Sequence, residues 1–368
     1  MSHPTSHLRS TRARTATGAL VLALAAGLAV PLSNASAAPD DTAGATTPSG
    51  SANVESSIAP SARSPFVAAG GDVDALTDLV LGRALRGSGA TGRSADPSVQ
   101  LATLREEGRE VTVRVDRAKG AWVEGVAYVE TAADEHGAPQ GWLFVARRTA
   151  DSWDLTLEGE PGFLGAMGRA ETTTSSERAT YVQAAKATRA TSRTGAVREA
   201  AAVSNDTGMQ FPVKAGSWFK MGSPHGWSGS TGALSSVDFS GSDGTVRAAR
   251  AGTVRSLCNG WTRIIHDNGY SSDYYHLTAV RVTGGTVGKN AVLGNQGTSL
   301  CAGGEAYGAH VHFGLRQYDA NLNGWYVSLD NKIIGSHRIR TGGYYTGGTT
   351  TDVVNGNYGV LPGQRWNR

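Results

Sequence analysis

Residues Tyr307–Leu315, YGAHVHFGL, set His310 and His312 one residue apart among small and apolar neighbours. Successive side chains of a β-strand point to opposite faces, so this spacing places both imidazoles over the same patch of a sheet. One can then hold a metal while the other moves a proton beside it. Such a pair also arises by accident, and its meaning depends on its surroundings. Those are rich in Gly, aromatic and β-branched residues: FPVKAGSWFKMGSPHG (211–226), GTVRAARAGTVRSL (244–257), WTRIIHDNGYSSDYYHL (261–277) and RVTGGTVGKNAVLG (281–294). Short strands separated by Gly-containing turns predict a mainly β, antiparallel domain over 209–368. Six of the nine histidines of the chain fall in it: His225, His266, His276, His310, His312 and His337.

The amino terminus sets the compartment in which such a site would work. Arg9, Arg12 and Arg14 precede the apolar run Gly18–Leu32, and NASAAP then offers small residues before a cleavage after Ala37. This is the pattern of a secretory signal peptide, too short for a comfortable membrane span and followed by a processing site. An exported chain without stable membrane insertion is expected. Cys258 and Cys301 agree, because an oxidising exterior pairs an even number of thiols; no C-x-x-C motif favours two metal-binding thiolates instead.

Between the signal peptide and the β-rich domain the composition changes three times. Residues 38–70 are Ala, Ser, Thr, Pro and Asp, an unstructured leader by composition. Residues 71–170 read as a small α+β domain: DVDALTDLVLGRALRG has helical spacing, while EVTVRVDR, WVEGVAYVET and GWLFVARRTADSWDLTLEG read as alternating or half-buried strands. Residues 171–208, rich in Ala, Thr, Ser and Arg, read as a linker with some helix and a processing site. The front domain has no cluster of chemistry-bearing residues; its one histidine, His136, lies in a turn-like stretch. Charge also divides, with 17 basic against 22 acidic residues over 38–204 and 14 against 9 over 205–368. The two halves could attract each other, although ordinary drift in composition gives the same counts. The modest positive charge of the back half suits anionic wall polymers, and export argues against a nucleic-acid partner.

A catalytic zinc takes three protein ligands and leaves a fourth position open. SPHGWSGSTGALSSVDFSG (223–241) supplies His225 in a turn and Asp238 on a following strand, across a Gly- and Ser-rich loop; His312 can complete the set. Singly, His225 is as readily a turn histidine, Asp238 an exposed strand acid and His276 a buried histidine bonded to backbone. Their order and spacing say more. H-x(12)-D, then YYHL, then HVHF resembles the lysostaphin and LasA type of zinc endopeptidases, peptidase family M23, and within it the LasA and β-lytic branch.

The resemblance covers about Pro212 to Tyr345. It implies a small antiparallel β fold with a groove walled by loops, Zn2+ held by His225, Asp238 and His312, and catalytic roles for His276 and His310. It also implies cleavage of peptide crosslinks in bacterial peptidoglycan, next to glycine, with residues 38–205 in the place of a propeptide. A neighbouring imidazole can take a proton and return it to a leaving amine, and a protonated one can hydrogen-bond an oxyanion. Which of His276 and His310 does which is open. Tyr344 or Tyr345 is a candidate oxyanion donor, Trp227 and Trp261 are candidate groove or core aromatics, and His266 and His337 are expected to be structural or at the surface. Domains of this fold that lose ligands serve instead as wall-binding or amidase-activating modules; here all five positions are filled. A monomer is expected.

Overall fold

The computed structural model describes residues 73–88, 96–132, 137–192, 204–228, 232–318 and 324–368. The expected signal peptide and leader, His136 and residues 193–203 of the expected linker lie outside them.

The front segment runs α1 (Val73–Ser88), α2 (Pro97–Glu106), β1 (Val111–Lys119), β2 (Trp122–Val129), β3 (Gln140–Arg148), β4 (Trp153–Leu157), α3 (Phe163–Arg169) and α4 (Ser175–Ser192). Asp96 starts α2 by accepting from the Ser98 amide at 2.9 Å, with Pro97 preset for the first turn. The strands form an antiparallel meander, β1-β2-β3-β4. Alternation in WVEGVAYV sends Val123, Ala127 and Val129 to one face, where they pack with Leu76, Val80 and Ala84 of α1. Val126 and Tyr128 go to the other face, with Leu143 and Val145, and pack against Leu257, Trp261 and Tyr275 of the back segment. The sheet is therefore buried on both faces, more than half-buried strands would be. Gly141 marks the close approach: a Cβ there would lie 2.5 Å from both Leu257 and Trp261.

The stretch 171–208, expected as a linker with some helix, holds α4, whose Glu177, Tyr181 and Ala184 are buried. Of these only Tyr181 is a bulky hydrophobe, so a search for bulky apolar spacing does not register the buried face.

The back segment contains β5 (Ser217–Met221), β6 (Ser236–Gly241), β7 (Thr245–Arg247), β8 (Gly252–Cys258), β9 (Trp261–Ile265), β10 (Tyr270–Tyr275), β11 (Gly284–Val287), β12 (Val292–Asn295) and β13 (Val311–Gln317). It continues with β14 (Trp325–Tyr326), β15 (Ile333–Ile334), β16 (His337–Gly343), β17 (Thr346–Asp352), β18 (Tyr358–Val360) and β19 (Gly363–Asn367). The main sheet has the order β11-β8-β9-β10-β13-β6-β5-β19, with β14 also on β13. Its apolar face carries Phe219, Val237, Phe239, Val254, Ile264, Tyr274, Val311 and Phe313 over one core with Phe211, Leu293 and Ile339. The opposite face carries Arg316 and two rows that register pairs side by side, Arg255, Arg263 and Asp273 in one and Tyr275, His312 and Asp238 in the other. The Cys258–Cys301 disulfide ties the end of β8 to the loop before β13.

Front and back segments pack into one compact unit. Thr131 forms a parallel bridge with Gly303. A Cβ at Gly303 would meet the Thr131 carbonyl oxygen at 1.9 Å, so the GG pair at 303–304 lets the two chains touch. Among the described residues no helix is long and apolar enough to cross a membrane.

Candidate metal centre and groove

Asp238 on β6 lies directly opposite His312 on β13. His225 reaches them from the loop after β5, held by reciprocal backbone hydrogen bonds with Ser236 at 2.9 Å. Its Nδ1 is 2.9 Å from the Ser223 carbonyl, which can only accept, so Nδ1 carries the proton and Nε2 presents its lone pair. That Nε2 is 3.1 Å from His312 Nδ1 and 3.6 Å from Asp238 Oδ1, while His312 Nδ1 is 3.0 Å from Asp238 Oδ1. Three acceptor-capable atoms thus converge.

Tetrahedral zinc with N and O ligands at roughly 2.0–2.1 Å holds them about 3.3 Å apart. The observed separations of 3.0–3.6 Å fit such an ion. The buried Nε2 of His312 has no hydrogen-bond partner. A proton resting there leaves Nδ1 free for a metal.

Two further imidazoles border this cluster. His276 follows β10 with φ of 67°, a strained conformation for a residue with a side chain, and its Nδ1 donates to the Ser299 carbonyl at 3.0 Å. His310 sits just before β13, bridged to Gly297, and its Nδ1 donates to the Gly308 carbonyl at 2.7 Å. The two rings lie 4.8 Å apart, and His310 Nε2 is 3.7 Å from Asp238 Oδ1. In the neutral form of each ring the lone pair is then on Nε2. HVHF thus places its histidines on one side of the sheet, although only His312 is within the strand.

Burial pushes the His225 imidazole down to about 4 against the attraction of Asp238, and pushes His276 down to about 3 with His312 and His310 adding to the effect. Burial raises the Asp238 carboxyl, but His312, His225 and His310 outweigh it and hold it below the ordinary carboxylate range. At neutral pH His225 is therefore a neutral imidazole and Asp238 a carboxylate, the forms in which these groups bind metal.

The cluster opens into a groove of about 830 Å³ lined by Lys220, Ser240, Tyr307, Tyr345 and Gln364 along with the site residues. Gly137 and Ala138 of the front segment form part of its wall. Tyr345 stacks on His225, ring centroids 3.9 Å apart at 13°. Trp227 packs on His312 at 4.7 Å, and Trp261 is a buried neighbour of Trp227. His266 is buried, its Nδ1 donating to the Ala251 carbonyl at 2.9 Å, and His337 packs on Phe211. The carbonyls that orient the histidines leave no sequence signal; the GG pair at 303–304, which the sequence reading passed over, is the one signal that could have marked the close approach of the two segments.

Residues 232–327 match Peptidase family M23, a span that omits His225. Protease LasA of Pseudomonas aeruginosa is 35% identical over 146 residues, 36% of this chain and 34% of that protein. The chain thus spans about a third of the length of LasA. The β-lytic metalloendopeptidase of Lysobacter enzymogenes is 30% identical over 148 residues, 37% of this chain and 80% of that protein. A solved structure, the M23 metalloprotease pseudoalterin from the deep sea, is 28% identical, covering 43% of this chain and 97% of its own, with a TM-score of 0.39.

Proposed function

The chain belongs to peptidase family M23, and from that premise we propose that it is a secreted zinc metalloendopeptidase. Its substrates are peptide bonds in bacterial peptidoglycan crosslinks, with a preference for bonds next to glycine, and its front segment is a propeptide. The reading rests on one observation above all: three ligand atoms converge within 4.8 Å beside two imidazoles with free Nε2 atoms, in one groove.

In this reading His225, Asp238 and His312 hold zinc, which supplies Lewis acidity toward the scissile carbonyl and lowers the pKa of water at the site. His276 and His310 then divide two tasks between them. One accepts the proton of the attacking water and returns it to the leaving amine; the other, once protonated at Nε2, donates a hydrogen bond to the developing oxyanion. Their Nδ1–H bonds to Ser299 and Gly308 fix which nitrogen does this. Tyr345, stacked on His225, holds that ring in place and lines the groove.

A wall-binding or amidase-activating module of the same fold is the rival, and it would not need five chemically competent side chains. Purified peptidoglycan incubated with processed protein, with and without chelator, separates the two. New amino ends identified by mass spectrometry, absent with chelator, are the expected result. Binding without cleavage, unaffected by chelator, would favour the module.

A further inference from the structure

We propose that Arg263, Arg316 and Tyr318 form a carboxylate-binding site on the back segment, occupied in this chain by Glu158 of the front segment and offered to a carboxylate of the substrate when the front segment leaves. The second half rests on the propeptide reading above; the first does not.

Glu158 has a completely buried side chain. Its Oε2 accepts from the Arg263 guanidinium and from the Leu143 amide at 3.1 Å. Its Oε1 accepts from the Tyr318 hydroxyl and lies 3.3 Å from Arg316 Nη2. Apart from the Leu143 amide, these partners come from the back segment. A carboxylate of the front segment is thus held by two guanidinium groups and a phenol of the back segment.

Back-segment groups also hold these side chains, beside the front segment's Gly141 carbonyl, which accepts from Arg263 Nη1 at 3.1 Å. Asp273 binds Arg263 through both oxygens, at 2.6 and 2.8 Å, and accepts from the Tyr326 hydroxyl at 2.5 Å. Arg316 lies over the Tyr326 ring at 4.8 Å, with its Nη1 3.8 Å from Asp273. Its three nitrogens are buried, and none has a partner within hydrogen-bond geometry. A buried guanidinium with unspent donors is costly unless an anion answers it. With Glu158 present, two arginines face two carboxylates; without it, two arginines face Asp273 alone, and the site carries an excess positive charge. Arg255 adds another on the same sheet face, paired here with Glu124 and Glu177 at 2.9 and 2.8 Å.

Position decides what kind of carboxylate fits. Arg316 lies four residues beyond His312 on β13 and faces the same way, roughly 13 Å along the strand. Trp227 and Tyr326 lie over Gly314 between the two points, so an extended peptide with its scissile bond at the metal centre would pass over the Trp227 indole to bring a group about four residues away to this point. The substrate class is therefore a peptide with an acidic side chain or terminal carboxylate at that distance. The mixture of ion pairs and aromatic contacts also suits a surface that separates, since partners that come apart have more polar interfaces than permanent ones.

The test begins with the full chain. Glu158→Ala should melt below wild type in sodium chloride, and acetate at about ten times its Kd should raise Tm by about 3–6 °C over chloride of equal ionic strength. Adding Arg316→Met should remove the acetate effect. If Glu158→Ala does not fold in chloride, its refolded yield in acetate against chloride gives the same readout. Acetate acting no differently from chloride in either readout overturns the site.

The second arm uses processed protein and extended glycine-containing peptides with glutamate or glutamine four residues from the cleaved bond, on either side. On one side, wild type should prefer glutamate by about tenfold or more in kcat/KM, the worth of one charged hydrogen bond. Arg316→Met should lose that preference. Equal cleavage of glutamate and glutamine peptides on both sides overturns the substrate half. Cleavage of no peptide and of no peptidoglycan would count against the peptidase reading, while the acetate result still decides the site.

Discussion

The Ala138 amide donates to the Trp227 carbonyl at 2.7 Å, and the Trp227 indole returns a hydrogen bond to the Pro139 carbonyl at 2.8 Å. Trp227 also packs on His312, so the front segment stands one side chain away from the candidate metal ligands. Thr131 extends the contact, donating to the Ala302 carbonyl at 3.1 Å and accepting from the Gly304 amide at 3.3 Å. A polypeptide substrate entering this groove would meet the front segment as one of its walls.

The first prediction follows from that wall. Protein from culture medium should begin within Ser204–Gly208, where Tyr270 donates to the Ser204 carbonyl and the Thr207 amide bonds the Ile333 carbonyl, anchoring a new terminus. The unprocessed chain should cleave a glycine-rich peptide more slowly than the processed form, and added front segment should slow the processed form. Amino-terminal sequencing beside a peptide assay decides this. An intact chain with full activity would rule out the propeptide.

His312→Ala should lose both metal and hydrolysis. His310→Ala and His276→Ala should each keep close to one zinc per chain, because their rings contribute no atom to the converging triad. They should lose about 10²–10⁴-fold in turnover, the usual contribution of a general acid or base. Metal content by plasma mass spectrometry on dialysed, folded protein separates the two classes. A metal-free His310→Ala beside a fully loaded His312→Ala would exchange their roles.

The disulfide should matter to stability more than to metal. Cys301 leads into Ala302 and Gly303, whose backbone groups meet the Tyr275 hydroxyl at 3.1 and 2.7 Å beside the bridge to Thr131. Cys258→Ser with Cys301→Ser frees a loop of 43 residues and should cost about 2–4 kcal/mol of unfolding free energy. The folded fraction should still bind zinc. Urea unfolding and metal analysis on the same samples check both; zinc lost with the fold intact would point to thiolate ligation.

How far the sequence revealed this molecule depended on whether the cause was local. Strand alternation in WVEGVAYV and GWLFVARR marks the front sheet, and the order of His225, Asp238, His276, His310 and His312 marks the site before any geometry is known. What covers a strand is not local. Glu124 reads as the solvent side of an alternating strand, yet it is buried against Arg255 because the second face of that sheet meets the back segment. The acid and base counts of the two halves hinted at such pairing without naming Glu158 or Arg263. Helix α4 was legible only as some helix within a linker, and its burial was not, since alanine and threonine carry little hydrophobic signal even where Ala184 is buried.

His266 gives a pH dependence that belongs to the fold rather than the site. It is buried, with Nδ1 donating to the Ala251 carbonyl and Nε2 2.9 Å from the Ser272 hydroxyl. Burial pushes its imidazole down to about 4, with the Ala251 carbonyl and Asp267 opposing and Arg250 adding to the effect. An unfolded histidine titrates near 6.5, so between these values the unfolded chain holds the extra proton and stability rises with pH. The contribution is complete above about pH 6.5 and is lost progressively as pH falls toward 4. It amounts to at most about 3 kcal/mol. Urea unfolding of wild type and His266→Gln at several pH values from 7 to 4 isolates it, because the other histidines titrate alike in both proteins. The stability difference between the two should shrink on acidification; curves that stay parallel across that window would mean His266 is not held neutral by the fold.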